Sequence, residues 1–599
     1  DGGALLVANR SSFVDILFIT GATSRPVRFM MYENFRQPGW LRALCRTAGF
    51  LEVPSNKPKQ LQQLFTRTRE MLRSGEIVCV FPESTITRNG VMSGLRDGMK
   101  QMIPDDEAIP LIPVHIGMTW GSIFSRYYGK FKLQIPEELP HPVVITAGKP
   151  VSPETSAYEM RIILSELGAG TKCQTIPGER TFHSQFAQLA KRHPQGKFIR
   201  ELRNGKIVSS RNINLLCRSI LFSRYLRKKR RNCEYIGIML PNSIDFFQAM
   251  TAVLMADRTP AILNYTSGEE TIAKAVAKAG IQTIITSREV IAKHHITPVR
   301  GMIFIEDTNK ITRSKWVATW WKFLIRILPN AELMKLVAPG SWDDHHRTAM
   351  VLFSSGSTGM PKGVMLSHHN IFSDVLAVSR SIAWNRHDRV PGNLPLFHSF
   401  GMAVCLWMPL FSGGEVTMLP NPLDGDGMKQ ILRDRHSTVL FATPSFLQLY
   451  MRRCGAEEFK SLRLVIAGAE KLRDDIVAKF KEMTGLVIAE AYGCTELSPV
   501  VSINLANSIT DIGVKVARYG SIGPSLPGIC AKIVDPSTFE LLPEECDGLL
   551  LVKGAVVMQG YLNEPEKTNE VIRDNWYVTG GIGKMDRNGF ITITGRLSR

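Results

Sequence analysis

The 599-residue chain has no run approaching 18 uninterrupted apolar residues, so its sequence offers no bilayer-spanning helix. Its ten cysteines are scattered, and no two are spaced as Cys-x-x-Cys. That removes a zinc-site spacing and a redox motif, and a reduced, cytoplasmic setting is expected. Internal repeats and low-complexity tracts are also missing, which excludes a disordered polymer or a collagen-like fibre. Acidic residues are in short supply, 54 against 73 Lys and Arg, for a net charge of +19. No recognition helix, stacking-aromatic module or zinc finger accompanies that charge, so nucleic acid is not an expected partner.

What is present is 44% hydrophobic and 8% aromatic residues, enough for several buried cores. Residues 1–200 hold 25 basic and 17 acidic side chains, residues 201–350 hold 23 and 12, and residues 351–599 hold 25 of each. The excess positive charge therefore belongs to the first 350 residues and points them towards an anionic partner. Apolar strands such as Ala4–Ala8, Val27–Met31, Ile77–Phe81 and Ile109–Val114 alternate with helical stretches such as Lys59–Arg73, an α/β pattern. From Ser152 to about Arg211 the chain reads as a polar helical connector. A second βα rhythm, suited to a parallel sheet covered by helices, begins near Glu234 and includes Ile236–Leu240, Met350–Phe353, Thr438–Phe441 and Leu464–Ala467. Beyond Gly520 the segments become short and β-rich. The expected division is residues 1–151, a connector at 152–211, and residues 212–599.

The strongest motif is Phe353-Ser-Ser-Gly-Ser-Thr-Gly-Met-Pro-Lys-Gly363, directly after an apolar strand. Glycines let a backbone approach a phosphate, hydroxyls and amides surround it, and Lys362 supplies a cation. A Walker-A loop fits poorly, because Pro361 and Gly363 stand where its second glycine and its metal-binding hydroxyl belong.

Residues 200–599 resemble the adenylate-forming superfamily, whose motifs recur here in the family's order. Ser354, Ser355, Gly356, Ser357, Thr358, Gly359 and Lys362 look like its pyrophosphate-cradling loop, and Leu396-Phe-His398-Ser-Phe-Gly401 like the aromatic motif beside its acyl pocket. Gly468, Ala469 and Glu470 look like the backbone that passes the adenine. In Tyr492-Gly493-Cys-Thr495-Glu496 the resemblance implies a ring stacked on adenine, a phosphate-contacting Thr495 and a Glu496 that holds Mg²⁺. It implies ATP and Mg²⁺ as cofactors and a fatty acid as substrate. Coupling a carboxylate to a thiol requires an activated acyl group, and charge developing on the phosphates is offset by Mg²⁺ and Lys362. The family's Thr-Gly-Asp reads Thr579-Gly580-Gly581 here, so the ribose-binding carboxylate is missing at Gly581. Arg596 looks like the hinge-side nucleotide contact, and the family's small C-terminal domain with its adenylation lysine is expected to be missing from this chain, which looks like a segment of something longer.

Residues 1–150 resemble the glycerophospholipid acyltransferases, whose signature is His-x4-Asp followed by Phe-Pro-Glu-Gly and Ile-Pro-Val. Asn9-Arg-Ser-Ser-Phe-Val-Asp15 has the spacing, but Arg10 stands in the histidine position, and Phe81-Pro-Glu83-Ser84 and Ile112-Pro-Val114 follow. In the family the histidine is the base and the aspartate orients it. A guanidinium cannot be that base, since its pKa lies above about 12. Glu83, Arg88 and Arg96 are expected to contact a headgroup phosphate, and Arg10 to pair with Asp15.

The fusion of the two domains resembles the bacterial bifunctional acyl-[acyl-carrier-protein] synthetase/2-acylglycerophosphoethanolamine acyltransferases. That resemblance implies acyl carrier protein and lysophosphatidylethanolamine as partners and a peripheral location on the cytoplasmic face of the bacterial inner membrane. Alternatives are a long-chain fatty acyl-CoA synthetase with a vestigial lipid-binding domain, and a non-catalytic protein. In Lys315–Leu328, Trp316, Trp320, Phe323, Leu324 and Ile327 fall on one helical face and Lys315, Thr319, Lys322 and Arg326 on another, as an interfacial helix requires. A helix packed between domains has the same stripe. The run Arg227–Arg231 reads as a solvated turn or a lipid-facing patch.

Overall fold

Ala4–Ala8 is apolar and buried at every position, as a strand covered on both faces must be. It lies inside a six-stranded sheet whose order is 51–53, 27–32, 77–80, 4–8, 111–117, 144–147, parallel except at the last strand. Helix Pro58–Arg73 begins on proline, whose missing N–H costs nothing in a first turn, and buries Leu64, Phe65, Thr68 and Leu72. In this computed structural model the described residues are 2–12, 14–32, 50–54, 57–83, 85–104, 108–122, 124–127, 143–172, 179–229, 233–311, 315–354, 360–509 and 514–597.

The second half is built on four larger sheets. One runs in the order 302–304, 284–286, 235–239, 259–262, 348–354, 362–367, 560–561, its first five strands parallel and strand 362–367 antiparallel to both its neighbours. A second joins 439–442, 464–468 and 488–493 in parallel and adds 500–503 antiparallel. The short segments beyond Gly520 form an antiparallel sheet of 529–534, 548–554, 576–585, 572–573 and 591–596. The α/β expectation holds in both halves, with boundaries shifted by one to three residues.

The stretch 152–211 is not a polar connector. Helix Ala157–Lys172 packs on strand Leu111–Gly117 of the first sheet and on strand Ile529–Val534 of the last. Helix Phe182–Arg192 buries Phe182 and Phe186 completely, with Phe182 4.8 Å from the Trp407 ring and Phe186 edge-on to Phe247. Strands Ile199–Arg203 and Lys206–Ser209 extend the fourth sheet beside Glu415–Met418. Much of the polar composition of this stretch lies on outer faces, although Arg161, His183 and Glu201 are buried, while Phe182 and Phe186, four apart, face inward.

Helix Lys315–Ile327 has two apolar faces. Trp321 and Ile325 are buried, and the helix packs on helix Asn212–Lys229, whose Arg224 lies over the Trp321 ring. Trp316, Trp320, Phe323 and Ile327 are 88%, 58%, 50% and 56% exposed, whereas Leu324, expected with them, turns towards the core. Arg227–Lys229 is the end of helix Asn212–Lys229 rather than a turn, and Arg227 donates to Met255 O and Val337 O. Arg230 and Arg231 lie outside the described residues. Among the described residues no helix is long and apolar enough to cross a membrane.

Phe182→Ala should shift chemical denaturation of the whole chain to lower denaturant by the equivalent of about 3–5 kcal/mol, the usual cost of emptying a buried phenylalanine site. A shift below about 1 kcal/mol, typical of surface substitutions, would return residues 182–192 to the status of a linker.

Candidate active site

Strands Leu464–Gly468 and Ile488–Gly493 are parallel neighbours, and their carboxyl ends open on one cavity, the usual ligand position in such sheets. The cavity, of about 400 Å³, is lined by His398, Gly468, Ala469, Glu470, Tyr492, Gly493 and Thr495 among others, with Leu394, Phe400 and Phe446 supplying apolar surface. Residues up to 100 apart in the sequence thus share one wall, as their motifs predict. Ala469 has φ +69°, a left-handed conformation that an alanine adopts only where the surroundings enforce it. Gly493 admits no side chain: a Cβ there would lie 1.7 Å from Pro499 O. His398 sits at the start of the short helix Ser399–Gly401, its ring 4.8 Å from Phe397. Glu470 turns its carboxylate to Ser445, accepting from both its N–H and its hydroxyl.

The charged groups expected around a triphosphate meet at a residue the motifs did not flag. The Tyr561 hydroxyl donates to Glu496 Oε1 at 2.8 Å, and Lys362 Nζ lies 5.1 Å from the centre of the same ring. Tyr561 is brought there because strand Gly560–Tyr561 pairs with Val364 and Met365, which follow Lys362. No spacing rule links positions 496 and 561, so only the sheet reveals the pair. Thr495 Oγ1 is 3.1 Å from Ser399 Oγ. Ser354 faces Lys362 across an antiparallel pair, whereas Ser355, Gly356, Ser357, Thr358 and Gly359 lie outside the described residues.

Gly581 faces Arg596 in strand register, and its N–H donates to Thr579 Oγ1 at 3.0 Å. A Cβ at Gly581 would lie 3.1 Å from the Tyr492 hydroxyl and 3.2 Å from Thr579 Oγ1, so a carboxylate there would open beside Tyr492. Burial pushes the Tyr492 phenol up to about 12.

The acyltransferase-like motifs meet at the end of strand Ala4–Ala8. Asn9 is fixed by a reciprocal pair of bonds with Ile116, 2.7 and 3.1 Å long. Asp15 begins a helix and accepts from the Ser11 N–H, the Ser12 N–H and the Ser12 hydroxyl. Arg10 is buried with its guanidinium 5.3 Å from the centre of the Phe81 ring. Burial pulls its pKa down to about 10 and the charges of Asp15 and Glu83 oppose this, so it stays a cation at neutral pH. Glu83 lines the same pocket as Arg10. It is buried and accepts the Arg10 N–H at 2.6 Å and the Ser93 N–H at 2.7 Å, bracing the two signature loops. Arg88 and Arg96 are exposed, and Ser84 lies outside the described residues. Sequence reasoning also missed Arg161, which lines this pocket from helix Ala157–Lys172, and His115 on the neighbouring strand.

A family model for AMP-binding enzymes matches residues 189–562. The chain belongs to the AMP-binding enzyme family. A family model for acyltransferases matches residues 1–117, so an acyltransferase domain precedes the AMP-binding domain. The long-chain-fatty-acid–CoA ligase of Salmonella typhimurium is 26% identical over 408 residues, covering 63% of this chain and 71% of that protein. The long-chain-fatty-acid–CoA ligase of Bacillus subtilis is 33% identical over 264 residues, covering 42% of this chain and 45% of that one. Among solved structures, the N-terminal domain of FACL13 from Mycobacterium tuberculosis superposes with a TM-score of 0.58 at 17% identity, covering 70% of this chain and 100% of that one, a likeness of fold. The ATP-bound RpMatB-BxBclM chimera B3 gives a TM-score of 0.55 at 25% identity, covering 69% of this chain and 78% of that one.

Among the described residues no cluster of three or more His, Cys, Asp or Glu is placed to hold a metal by itself. The donors present, one carboxylate of Glu496 with the hydroxyls of Thr495 and Ser399 nearby, suit Mg²⁺, which is usually held by one or two carboxylates together with substrate phosphates. The chemistry of this donor set, with the Lys362 cation on the other side of Tyr561, is compatible with a metal–triphosphate.

Burial lifts the Glu83 carboxyl from 4.5 to about 7. The folded chain thus binds this proton more tightly than the unfolded one. Its contribution is complete below about pH 4.5 and is lost as the pH rises through 7. Glu83→Gln cannot titrate. Over that window wild type should lose on the order of 3 kcal/mol relative to Glu83→Gln, read as the difference between two urea-midpoint-against-pH curves. Parallel curves would remove the assignment.

Proposed function

We propose that the chain activates a long-chain fatty acid as an acyl-adenylate at the expense of ATP, loads it on the thiol of acyl carrier protein, and holds 2-acyl-lysophosphatidylethanolamine in an acyltransferase site, on the cytoplasmic face of a bacterial inner membrane, whose transfer step is impaired in this chain by Arg10. The observation that carries this reading is the pairing of two built sites in one chain. One is the cavity where His398, Gly468–Glu470 and Tyr492–Thr495 converge beside Glu496 and Lys362; the other is the acyltransferase-like pocket lined by Arg10 and Glu83, with Asp15 at the start of the helix that follows Arg10. The named relatives, ligases of long-chain fatty acids, support the substrate class.

The chain's own residues can be given roles from their geometry. Tyr561 offers its hydroxyl to Glu496 and its ring face to Lys362, so two opposite charges are held apart by one side chain instead of neutralising each other. Lys362 is thereby left to meet phosphate, and Glu496 to meet a divalent ion. Mg²⁺–ATP, when bound, supplies the electrophilic phosphorus that a carboxylate attacks. Leu394, Phe400 and Phe446 give the acyl end an apolar wall, and Thr495 and Ser399 offer hydroxyls at the boundary. In the first domain Arg10 remains protonated and Asp15 is engaged by Ser11 and Ser12, so neither position of the His-x4-Asp pattern provides a base for an acceptor hydroxyl.

Coenzyme A is the second reading for the thiol acceptor, favoured because the named relatives are CoA ligases. A thiol-acceptor assay decides between the two: acylation of carrier protein at least tenfold faster than of coenzyme A supports the first, and the reverse order replaces it. Arg10→His should raise acyl transfer to the lysophospholipid by about 10²- to 10⁴-fold, the usual worth of a positioned base. Equal rates in both proteins would sink the histidine-based mechanism.

Gly581→Asp should tighten ATP binding by roughly ten- to a hundredfold if two ribose hydrogen bonds return, since the neighbouring hydroxyls of Tyr492 and Thr579 leave space with shifts of a few tenths of an ångström. Titration calorimetry giving equal affinities would move the ribose elsewhere.

The membrane contact is assigned to helix Lys315–Ile327. Trp316, Trp320, Phe323 and Ile327 recur at helical spacing and stay exposed, with Arg326 exposed on the same helix and Lys228 and Lys229 at the end of the helix beneath it. Replacing Trp316, Trp320 and Phe323 by Ser should reduce sedimentation with anionic vesicles at least tenfold while leaving the thermal midpoint within about 2 °C, because none of the three supports the core. Undiminished sedimentation would free the helix from this role.

A further inference from the structure

The pocket at Arg10 is not enclosed by the acyltransferase domain alone. Asn9, Arg10, Ser11 and Glu83 form one side, and the far side is Pro524, Leu526, Pro527 and Ile529 together with Met585, all from the AMP-binding half. The charged lining, Arg10 and Glu83, comes from the acyltransferase half, which also contributes Ile116, Met118 and Trp120, and the far side is mostly aliphatic. A ligand that satisfies both has a polar reacting end and a hydrocarbon chain.

The far wall is fixed independently of the acyltransferase domain. Leu526 N–H donates to Val501 O and Ile529 N–H to Leu526 O, while a Cβ at Gly523 would come within 2.5 Å of the backbone of Ile503. Segment 523–529 is thus clamped to strand Val500–Ile503, which continues the wall of the adenylate cavity through Val500. The relation between the two walls is fixed as well. Arg161, buried, donates to Met92 O and Ser93 O of the acyltransferase domain and to Arg587 O of the AMP-binding half. Ser93 N–H bonds Glu83, and Glu83 accepts the Arg10 N–H, so an unbroken chain of hydrogen bonds runs from the signature motif to the turn beyond Met585.

We propose that the acyltransferase site is a composite site, in which Pro524–Ile529 and Met585 of the AMP-binding half form the wall that receives the acyl chain of the lipid substrate. This rests on the acyltransferase reading given above and adds to it that the second half shapes lipid binding in the first. Acyl-chain selectivity at the transfer step then depends on residues remote from the acyltransferase signature.

The test uses the full chain and a 2-acyl-lysophosphatidylethanolamine carrying a diazirine in its acyl chain, irradiated and mapped by peptide mass spectrometry, with unlabelled lysophosphatidylethanolamine as competitor. Competable cross-links within 524–531 or at Met585, alongside those in 115–120, are expected. Competable cross-links confined to residues 1–165 would overturn the composite site and leave the acyltransferase reading standing. No competable cross-link anywhere would overturn that reading and this inference with it. Pro527→Trp, which adds bulk from the far wall, should cut competable labelling at least tenfold, and Ser165→Trp, which fills the same pocket from helix Ala157–Lys172, serves where Pro527→Trp fails to fold. Full labelling in a folded Pro527→Trp protein would overturn the proposal.

Discussion

Arg161 is a guanidinium with almost no contact with water, and its N–H groups end on carbonyls from both halves of the chain. Desolvating such a cation costs several kcal/mol unless hydrogen bonds and opposite charges compensate. The carbonyls of Met92, Ser93 and Arg587 supply that compensation where their loop and turn approach together, so a requirement local to one side chain joins the packing of helix Ala157–Lys172 on strand Ile529–Val534 in fixing one half against the other. The surroundings are matched to it. Gly589, at φ +84°, leaves the room that a Cβ 2.9 Å from Nη1 would take, and the charges of Glu83 and Asp586 lie close enough for Arg161 to favour their ionised forms. Around it other bonds follow, Lys553 to Glu166, Trp120 to Arg380 O and Tyr127 to Trp384 O, which are individually weaker and more exposed.

That placement brings the two candidate sites onto one structural element. Strands Trp576–Met585 and Ile591–Arg596 form an antiparallel pair, with Gly581 facing Arg596 near Tyr492 at one end. Met585 and Gly589 lie at the other end, in the wall of the Arg10 pocket. Strand Val500–Ile503 has the same double role, lining the adenylate cavity through Val500 and carrying segment 523–529 through Val501. Sheets transmit position faithfully because close-packed interiors have few voids to absorb a shift. The fusion is therefore more than two enzymes on a tether.

Much of this was legible before the structure. The strand–helix rhythm, the adenylate-forming motifs and the acyltransferase signature are local patterns of residue type and spacing: the rhythm matches the sheets, His398, Gly468–Glu470 and Tyr492–Thr495 line one cavity, and Asn9, Arg10 and Glu83 line another. What was not legible depends on pairing between distant segments. Tyr561 belongs to no motif and reaches Glu496 only because two residues of strand Lys362–Ser367 pair with Gly560–Tyr561. Glu83 lines a pocket as its signature suggests, but that it also accepts two backbone N–H groups from separate loops is seen only in the fold. Residues 152–211 were misread from composition: polar side chains outnumber the apolar ones, but Phe182 and Phe186 at i and i+4 decide which face is buried. In the exposed stripe of helix Lys315–Ile327 the period was right, and only Leu324, at its edge, went to the other face.

Arg10 separates the architecture of the signature from its chemistry. A permanent cation buried where an imidazole is expected would ordinarily unsettle a domain, since an unpaired buried charge is among the costliest single substitutions. Here Asp15 and Glu83 stand near it and Phe81 offers a ring face, so the charge is compensated by groups the signature already contains. The hydrogen bonds that hold the motif do not involve the ring of a histidine at all. Asp15 is fixed by Ser11 and Ser12, Asn9 by Ile116, and Glu83 by the Arg10 and Ser93 backbones. The scaffold can therefore persist with its base replaced, and loss of the base removes proton transfer without removing the pocket. A pocket kept intact by bonds of its own, and walled by the other half of the chain, does not depend on the base for its shape.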